Sequence, residues 1–250
     1  MPSREATAAI PGAGSVDPKD HPPIALPEAD WTWFRERCAA LALPDPSGWR
    51  PQLEALFGHL SGVNRWLNLT TVEGPHEWLK LHVLDSLTAL ADPRLGHLAA
   101  GAPCLDLGSG GGYPGLPLAL ARPQVPWVLA DARRKKADFL AAAATLAGPH
   151  VRGLHLRGAE VARAAPTLFK QCQLVVNRAM GQADEVLAEV APILRLHGHL
   201  LLWKGPAFEG QERDRAAAAA PKLGFRVLGV RRLQLAEGDP ERLLACYERV

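Results

Sequence analysis

Apolar residues recur at helical spacing before the middle of the chain. From Leu53 they occupy positions 53, 56, 57, 60, 63 and 67, which lie on one face of an amphipathic helix. We expect this helix to end near Asn68 and a second helix to follow Pro75. Residues 1–27 contain six prolines and few large apolar side chains, so this segment is predicted to be disordered.

From Pro103 the pattern changes to short apolar runs separated by alanine-rich helical stretches. This alternation is typical of βαβ units and predicts a mainly parallel sheet. The predicted strands are residues 104–107, 127–130, 151–157, 174–176 and 199–203. Two further runs, at 225–233 and 243–248, have no long helix between them and predict an antiparallel pair at the end of the sheet. The fold class is therefore α/β, with seven strands.

Composition limits the function classes. The 28 Lys and Arg residues nearly balance the 26 Asp and Glu residues, and a net charge of +2 excludes a strongly basic nucleic-acid binder, so any RNA contact must be a local patch. The four cysteines lack the spacing of a metal site or a disulfide framework, so we expect reduced thiols and no metal. The chain shows no signal peptide and no apolar run near the roughly 18 residues of a membrane span, so we expect a cytoplasmic protein.

A glycine-rich loop follows the first predicted strand of the sheet. Residues 104–115 read CLDLGSGGGYPG, and glycines such as Gly108 and Gly110 let a backbone take positive φ and approach a ligand closely. Asp131 ends the next strand, where a carboxylate can accept both hydroxyls of a ribose. Loop and acid together predict a nucleoside site. The glycines at 110, 112 and 115 also fit the spacing G-x-G-x-x-G, so an NAD-dependent oxidoreductase stays an alternative.

Asp106 stands inside the strand, two residues before the first glycine of the loop. An acid at this place suits a cationic ligand, such as the ammonium and sulfonium of S-adenosylmethionine, better than a pyrophosphate. We therefore predict a cofactor contact. The alternative is that Asp106 accepts hydrogen bonds from the loop, as buried acids often do.

Several motifs occur in an order that resembles one known family. They are NLTTV at 68–72, HVLDSL at 82–87, LDLGSGGGYPGLPLALARP at 105–123, DARRKKADFL at 131–140, GAE at 158–160, NRAMG at 177–181 and WKG at 203–205. Together they resemble the RsmG (GidB) family, and the resemblance covers about residues 53–205.

The resemblance implies a bacterial cytoplasmic methyltransferase that uses S-adenosylmethionine to modify a guanine N7 of 16S ribosomal RNA. It also implies a Rossmann-like class I methyltransferase fold. We divide the chain into a proline-rich tail (1–30), an N-terminal helical extension (31–100) and the methyltransferase domain (101–250). By position in the family motifs, the cofactor contacts would be Gly108, Tyr113, Asp131, Ala132, Arg133, Ala159, Glu160 and Arg178.

Guanine N7 already carries a lone pair, so methyl transfer to it needs positioning and no base, and we assign no catalytic residue. Arg178 is expected to orient the cofactor carboxylate or a substrate phosphate, with a surface arginine as the alternative. Cations crowd the helix start after Asp131. We predict an RNA phosphate track, against the alternative of a solvated helix face, formed by Arg122, Arg134, Lys135, Lys136 and Lys204.

His82, Asp85 and Ser86 would share one helix face and are not a hydrolase triad, because parallel side chains on one helix cannot align for that chemistry. We expect them to hydrogen-bond the glycine loop. Asn68 is expected to cap or turn the chain, with direct contact to guanine as the alternative. The expected partner is 16S rRNA in a small subunit or its precursor, bound by a monomer. A non-catalytic RNA-binding assembly factor stays a third hypothesis.

Overall fold

A seven-stranded, mainly parallel sheet forms the centre of the protein. The computed structural model describes residues 14–93, 95, 98–178 and 181–250, and within them the strand order is β3-β2-β1-β4-β5-β7-β6. The strands are β1 (Cys104–Leu107), β2 (Trp127–Asp131), β3 (Val151–His155), β4 (Cys172–Arg178), β5 (Leu194–Lys204), β6 (Phe225–Leu233) and β7 (Arg242–Arg249). Strands β1 to β5 run parallel, whereas β7 is antiparallel to both β5 and β6. The predicted sheet and its antiparallel end are confirmed.

Helices connect the parallel strands and cover the sheet. They are α5 (Gly115–Ala121), α6 (Arg134–Ala147), α7 (Val161–Ala164), α8 (Ala183–Val190) and α9 (Gln211–Ala219). Each helix between two parallel strands returns the chain from the carboxyl edge of the sheet to its amino edge. Strand β4 is longer than predicted at both ends, because the buried polar residues Gln173 and Asn177 interrupt its apolar run.

The N-terminal helices pack on one face of the sheet. They are α1 (Glu28–Ala40), α2 (Arg50–Leu67), α3 (Pro75–Trp78), a π-helical turn (Leu79–Leu84), α4 (Asp85–Leu87) and a 3-10 turn (Thr88–Ala91). As predicted, α2 ends at Asn68, which takes the left-handed conformation. Phe34 and Trp78 from these helices belong to the same hydrophobic core as Trp127 and Phe139 from the sheet and α6. The helical extension and the sheet therefore share one core.

Residues 14–27 form a strap across α2, although the sequence predicts disorder for them. The Ile24 amide donates to the Glu54 carbonyl at 3.1 Å, and the Leu26 amide donates to Glu54 Oε1 at 3.1 Å. The His59 ring donates through Nε2 to the Val16 carbonyl at 2.8 Å. Residues 1–13, the remainder of the predicted tail, lie outside the described residues.

Two glycines of α2 make room for the strap. A Cβ at Gly58 would lie 2.2 Å from the Pro22 carbonyl oxygen, and one at Gly62 would lie 2.1 Å from His21 Nδ1. The helix therefore presents bare backbone where the strap crosses it. The proline count could not reveal this, because the order of the strap depends on contacts with a helix some thirty residues later.

Replacing Gly58 tests the strap. In Gly58→Ala the new methyl group collides with the Pro22 carbonyl, and we expect a loss of about 1–3 kcal/mol in the free energy of unfolding, as in other overpacked sites. Urea denaturation measures it. The matched control is Gly48→Ala, where nothing lies within 4 Å of the added Cβ. Equal stability of the two variants would contradict the prediction.

Candidate active site

The glycine loop after β1 is hydrogen-bonded to the end of β2. The amides of Gly108 and Ser109 both donate to the Ala130 carbonyl, at 2.8 and 2.9 Å. Gly108, Gly110 and Gly112 have φ of 75°, 58° and 96°, a region that favours glycine, which agrees with the predicted need for glycine here. The loop consequently lies at the carboxyl edge of the sheet, where ligands of such folds bind.

Asp106, which lies in β1, is hydrogen-bonded to this loop. Its carboxylate is fully buried, and Oδ2 accepts hydrogen bonds from Ser109 Oγ at 2.6 Å and from the Gly115 amide at 2.7 Å. Burial raises the pKa of Asp106 to about 6, although these two hydrogen bonds oppose the shift. Asp106 does not line the pocket described next. Through Oδ2, Asp106 is thus a hydrogen-bond acceptor for the loop, as the alternative predicts, and its contact with the cofactor stays a prediction.

A cavity of about 430 Å³ opens between the loop and the ends of β2, β3 and β4. The Asp131 carboxylate forms part of its wall, and it accepts from the Gly110 amide at 3.1 Å and from the Arg133 amide at 2.8 Å. Each carboxylate oxygen keeps acceptor capacity for a further hydroxyl. The cavity brings together these predicted cofactor residues: Gly108, Gly110, Tyr113, Asp131, Ala132, Arg133 and Arg178.

Part of the cavity wall was not predicted, notably Leu156, Arg157, Gly158 and Glu189. The Leu156 amide donates to the Asp131 carbonyl at 3.1 Å, which brings the turn after β3 beside that acid. Ala159 and Glu160, predicted as contacts, follow this turn but do not line the cavity, and Glu160 pairs with Arg163 at 3.6 Å. The sequence predicted that β3 runs through residue 157, whereas it ends at His155, so the turn that follows it was not predicted.

Arg178 also lines the cavity, and its guanidinium is hydrogen-bonded to the helical extension. Its Nη1 donates to the Leu81 carbonyl at 2.9 Å and to Asp85 Oδ2 at 3.1 Å, and its Nη2 donates to His82 Nδ1 at 3.0 Å. Its side chain is only 18% exposed. The guanidinium lies over the Tyr113 ring, 5.6 Å from the centroid. The alternative of a surface arginine is therefore wrong.

His82 links Arg178 to the segment after α2. Because a guanidinium only donates, His82 Nδ1 must accept, and the proton on Nε2 is donated to Thr70 Oγ1 at 2.7 Å. Burial and the Arg178 charge lower the pKa of His82 to about 3, so its ring is neutral at physiological pH. The ring stacks on Tyr113 with centroids 4.5 Å apart.

The hydrogen bonds of the HVLDSL helix differ from those predicted. His82 and Asp85 bind Arg178 rather than the glycine loop, and Ser86 Oγ donates to the His82 carbonyl. The reason is that Arg178 ends β4 directly beneath the π-helical turn, a contact between residues nearly a hundred positions apart. Local spacing could not show it.

The predicted phosphate track is not one surface. Arg122 follows α5, which runs back from the carboxyl edge, so this residue lies at the opposite edge of the sheet from the cavity. Lys204 lies at the correct edge, but its Nζ donates to Glu212 Oε1 at 2.7 Å and its side chain is only 11% exposed. These two residues therefore do not form one surface with the start of α6, and their contact with RNA stays a prediction.

The basic start of α6 divides into residues with different surroundings. Lys136 lines the cavity, Arg134 pairs with Asp138 at 3.0 Å, and Lys135 is exposed. Arg133 lines the cavity and is also exposed. The cluster is therefore partly a cavity wall and partly the solvated helix face of the alternative.

Comparison with known proteins identifies what this chain resembles. The family described as "GidB: rRNA small subunit methyltransferase G" matches residues 50–237. The Ribosomal RNA small subunit methyltransferase G of Sorangium cellulosum is 37% identical over 188 residues, 75% of this chain and 75% of that protein. The proteins of the same name from Myxococcus xanthus and Deinococcus radiodurans are 33% and 34% identical and cover 85% and 91% of this chain, and 94% and 88% of their own lengths.

The fold is shared with a solved methyltransferase. The geranyl diphosphate C-methyltransferase of Streptomyces coelicolor A3(2), whose structure contains S-adenosyl-L-homocysteine, superposes with a TM-score of 0.50 at 15% identity. The alignment covers 72% of this chain and 86% of that chain. At this identity the likeness concerns the fold alone, and it confirms the predicted class I methyltransferase fold.

The ion pair of Arg178 can be tested by a double-mutant cycle. Arg178→Ala leaves the buried Asp85 carboxylate with Arg242 alone, at 3.5 Å, so we expect the free energy of unfolding to fall by about 3 kcal/mol. In the double variant with Asp85→Asn, the loss should be smaller than the sum by about 1–2 kcal/mol. Arg134→Ala, which breaks only an exposed pair, serves as the control without measurable effect. Additive losses would contradict a direct ion pair.

The raised pKa of Asp106 predicts a pH-dependent stability. Between its ordinary value near 3.8 and about 6, the folded protein binds more protons here than the unfolded chain, so the Asp106 contribution falls as pH rises. Asp106→Asn removes this titration. We expect the stability of the variant relative to the parent to rise by up to about 3 kcal/mol between pH 4 and pH 7. Chemical denaturation across this range measures it, and parallel curves would rule the prediction out.

Proposed function

We propose that this chain, which belongs to the rRNA small subunit methyltransferase G family, methylates N7 of a guanine in 16S ribosomal RNA. The protein is an S-adenosylmethionine-dependent rRNA methyltransferase. Family membership confirms the resemblance and removes the NAD-dependent oxidoreductase alternative. The observation that carries the proposal is the cavity at the carboxyl edge of the sheet, because Asp131 and the glycine loop meet there as a nucleoside site requires.

The residues of the cavity fit S-adenosylmethionine. Its volume of about 430 Å³ lies within the range of small-molecule sites. We assign Asp131 to the ribose hydroxyls, because its carboxylate can only accept and keeps free lone pairs. The turn of Leu156 and Gly158 would hold the adenine, and the end formed by Gly108 and Arg178 would hold the methionyl group. When bound, the cofactor supplies a methyl group activated by its sulfonium.

The groups at the Arg178 end suit a reaction without proton removal. The lone pair of His82 Nδ1 already accepts from Arg178 and its pKa is lowered to about 3, while the Tyr113 hydroxyl accepts from Trp78 Nε1 at 2.6 Å and burial raises the pKa of this phenol. Neither group is placed to act as a base at physiological pH. The side chains therefore act by holding cofactor and guanine in line, which can supply most of the rate enhancement.

The remaining assignments concern the substrate and the cell. We assign the exposed cations Arg133, Lys135 and Arg157 to RNA phosphates, because they surround the cavity mouth or the adjoining helix start.

The substrate would be 16S rRNA within a small subunit or its precursor, bound by a monomer in the cytoplasm. No helix in the described part of the chain is long and apolar enough to cross a membrane. The division into 1–30, 31–100 and 101–250 remains our proposed domain organisation.

The proposed activity is tested with small-subunit RNA from cells that lack this protein. Incubation with the purified protein and S-adenosylmethionine should produce 7-methylguanosine, detected by mass spectrometry. Asp131→Asn should weaken S-adenosylhomocysteine binding roughly 10- to 100-fold in calorimetry, because one acceptor for a ribose hydroxyl becomes a donor. Asp138→Asn, which changes an exposed acid on α6 outside the cavity, is the control. Binding of the cofactor without any methylation would favour the non-catalytic assembly factor.

A further inference from the structure

A second cavity lies beside the cofactor cavity, between α2 and the segment 68–74 that follows it. Its volume is about 520 Å³, and we call it the 68–74 groove. Phe57 and Leu60 of α2 give it an apolar floor. Leu69 of the same segment lines the cofactor cavity, and a Cβ on Gly111 of the glycine loop would lie 3.6 Å from Leu60 Cδ1. The two cavities thus share a wall at the end where Tyr113, His82 and Arg178 lie.

The wall of the groove is held in place by side chains that are already hydrogen-bonded. Asn64 Oδ1 accepts from the amides of Leu69 at 2.7 Å and Thr70 at 2.9 Å, and Asn64 Nδ2 donates to the Thr70 carbonyl. Thr70 Oγ1 accepts from His82 Nε2 and from the Val72 amide. The segment is therefore ordered before any ligand binds, which lowers the entropic cost of binding.

Other polar side chains of the groove have no partner. Arg65, Asn68, Thr71 and Glu73 line it as exposed residues, and within the described part of the chain their side chains make no hydrogen bond or ion pair. Asn68 also has a backbone reason to be asparagine, because φ is 50° and ψ is 60°. The free groups are thus a carboxylate, an amide, a hydroxyl and the Arg65 guanidinium, so the groove offers both acceptors and donors, as a polar ring with N–H and carbonyl groups requires.

We propose that the 68–74 groove receives the target guanine, with Glu73 and Asn68 binding its Watson–Crick edge; this inference rests on the proposed function. Guanine presents two adjacent N–H donors and a carbonyl oxygen on that edge. A carboxylate accepts from both donors, and the asparagine amide donates to the carbonyl. N7 lies on the other side of the purine, so a base held in this way presents N7 to the border of the groove at Leu69, which lines the cofactor cavity, where N7 must reach the methyl group directly.

The carboxylate of Glu73 would also affect the reaction itself. N7 methylation leaves the guanine with a positive charge and makes its N1–H a stronger donor. A carboxylate at the Watson–Crick edge therefore binds the methylated ring more tightly than the unmodified one. Glu73 is accordingly a binding residue that also favours the developing charge.

The test uses the full chain and unmodified small-subunit RNA with labelled S-adenosylmethionine. Asn68→Gly removes the amide while keeping a residue that tolerates the left-handed backbone, and Glu73→Gln removes the acid with little change in shape. We expect each variant to lose about 10-fold in kcat/KM for RNA, and S-adenosylhomocysteine affinity to stay within about twofold. Glu77→Gln is the matched control, because Glu77 is exposed and lies outside the groove.

A direct probe is 7-methylguanosine 5′-monophosphate, added with S-adenosylhomocysteine to protein labelled at asparagine side chains. Binding of this nucleotide should shift the resonance of the Asn68 side-chain amide in the parent protein, and Glu73→Gln should bind it more weakly. Cytidine monophosphate should not shift this resonance in either protein. Full kcat/KM in both groove variants, with an active parent, overturns the guanine assignment and leaves the proposed function standing. An equal loss in Glu77→Gln also overturns it. A parent protein that makes no 7-methylguanosine overturns the proposed function as well.

Discussion

The buried carboxylate of Asp85 joins the two halves of the molecule. It lies on the helical extension, yet its partners are Arg178 at the end of β4, at 3.1 Å, and Arg242 at the start of β7, at 3.5 Å. Burial raises its pKa, and the two arginines oppose that shift. Loss of either arginine would leave the buried carboxylate of Asp85 with less compensation and would lower the stability of the fold. The two ion pairs therefore couple the helical extension to the sheet. The position of Arg178, and through it Tyr113, depends on this contact.

The π-helical turn makes this contact geometrically available. A π turn inserts an extra residue into an α-helix and is common beside functional sites. Here it covers Leu79–Leu84, so that the Leu81 carbonyl, the His82 ring and the Asp85 carboxylate all face the same guanidinium. The same turn orients His82 towards Thr70. The cofactor cavity and the 68–74 groove are thus positioned by one short irregular segment.

Local patterns predicted the parts that depend on local chemistry. The alternation of apolar runs predicted all seven strands, and the glycine loop with Asp131 predicted the nucleoside end of the cavity. Where the interpretation failed, distant contacts decided the outcome. Lys204 was predicted to belong to the phosphate track, but its ammonium is paired with Glu212 on α9, which follows it in the chain. Arg122 lies at the other edge of the sheet because α5 returns the chain there, and Asp106 is buried against the loop, whose Ser109 and Gly115 donate to its Oδ2.

The shared core has a consequence for synthesis of the chain. Trp78, Leu53 and Phe34 are among its most buried side chains, yet their partners Trp127 and Phe139 follow some fifty or more residues later. While the first hundred residues leave the ribosome, their apolar face has nothing to cover it, and such intermediates are prone to aggregate. The N-terminal helices of a nascent chain therefore keep part of their apolar face uncovered until α6 has emerged, and we expect an N-terminal fragment that ends before β1 to aggregate.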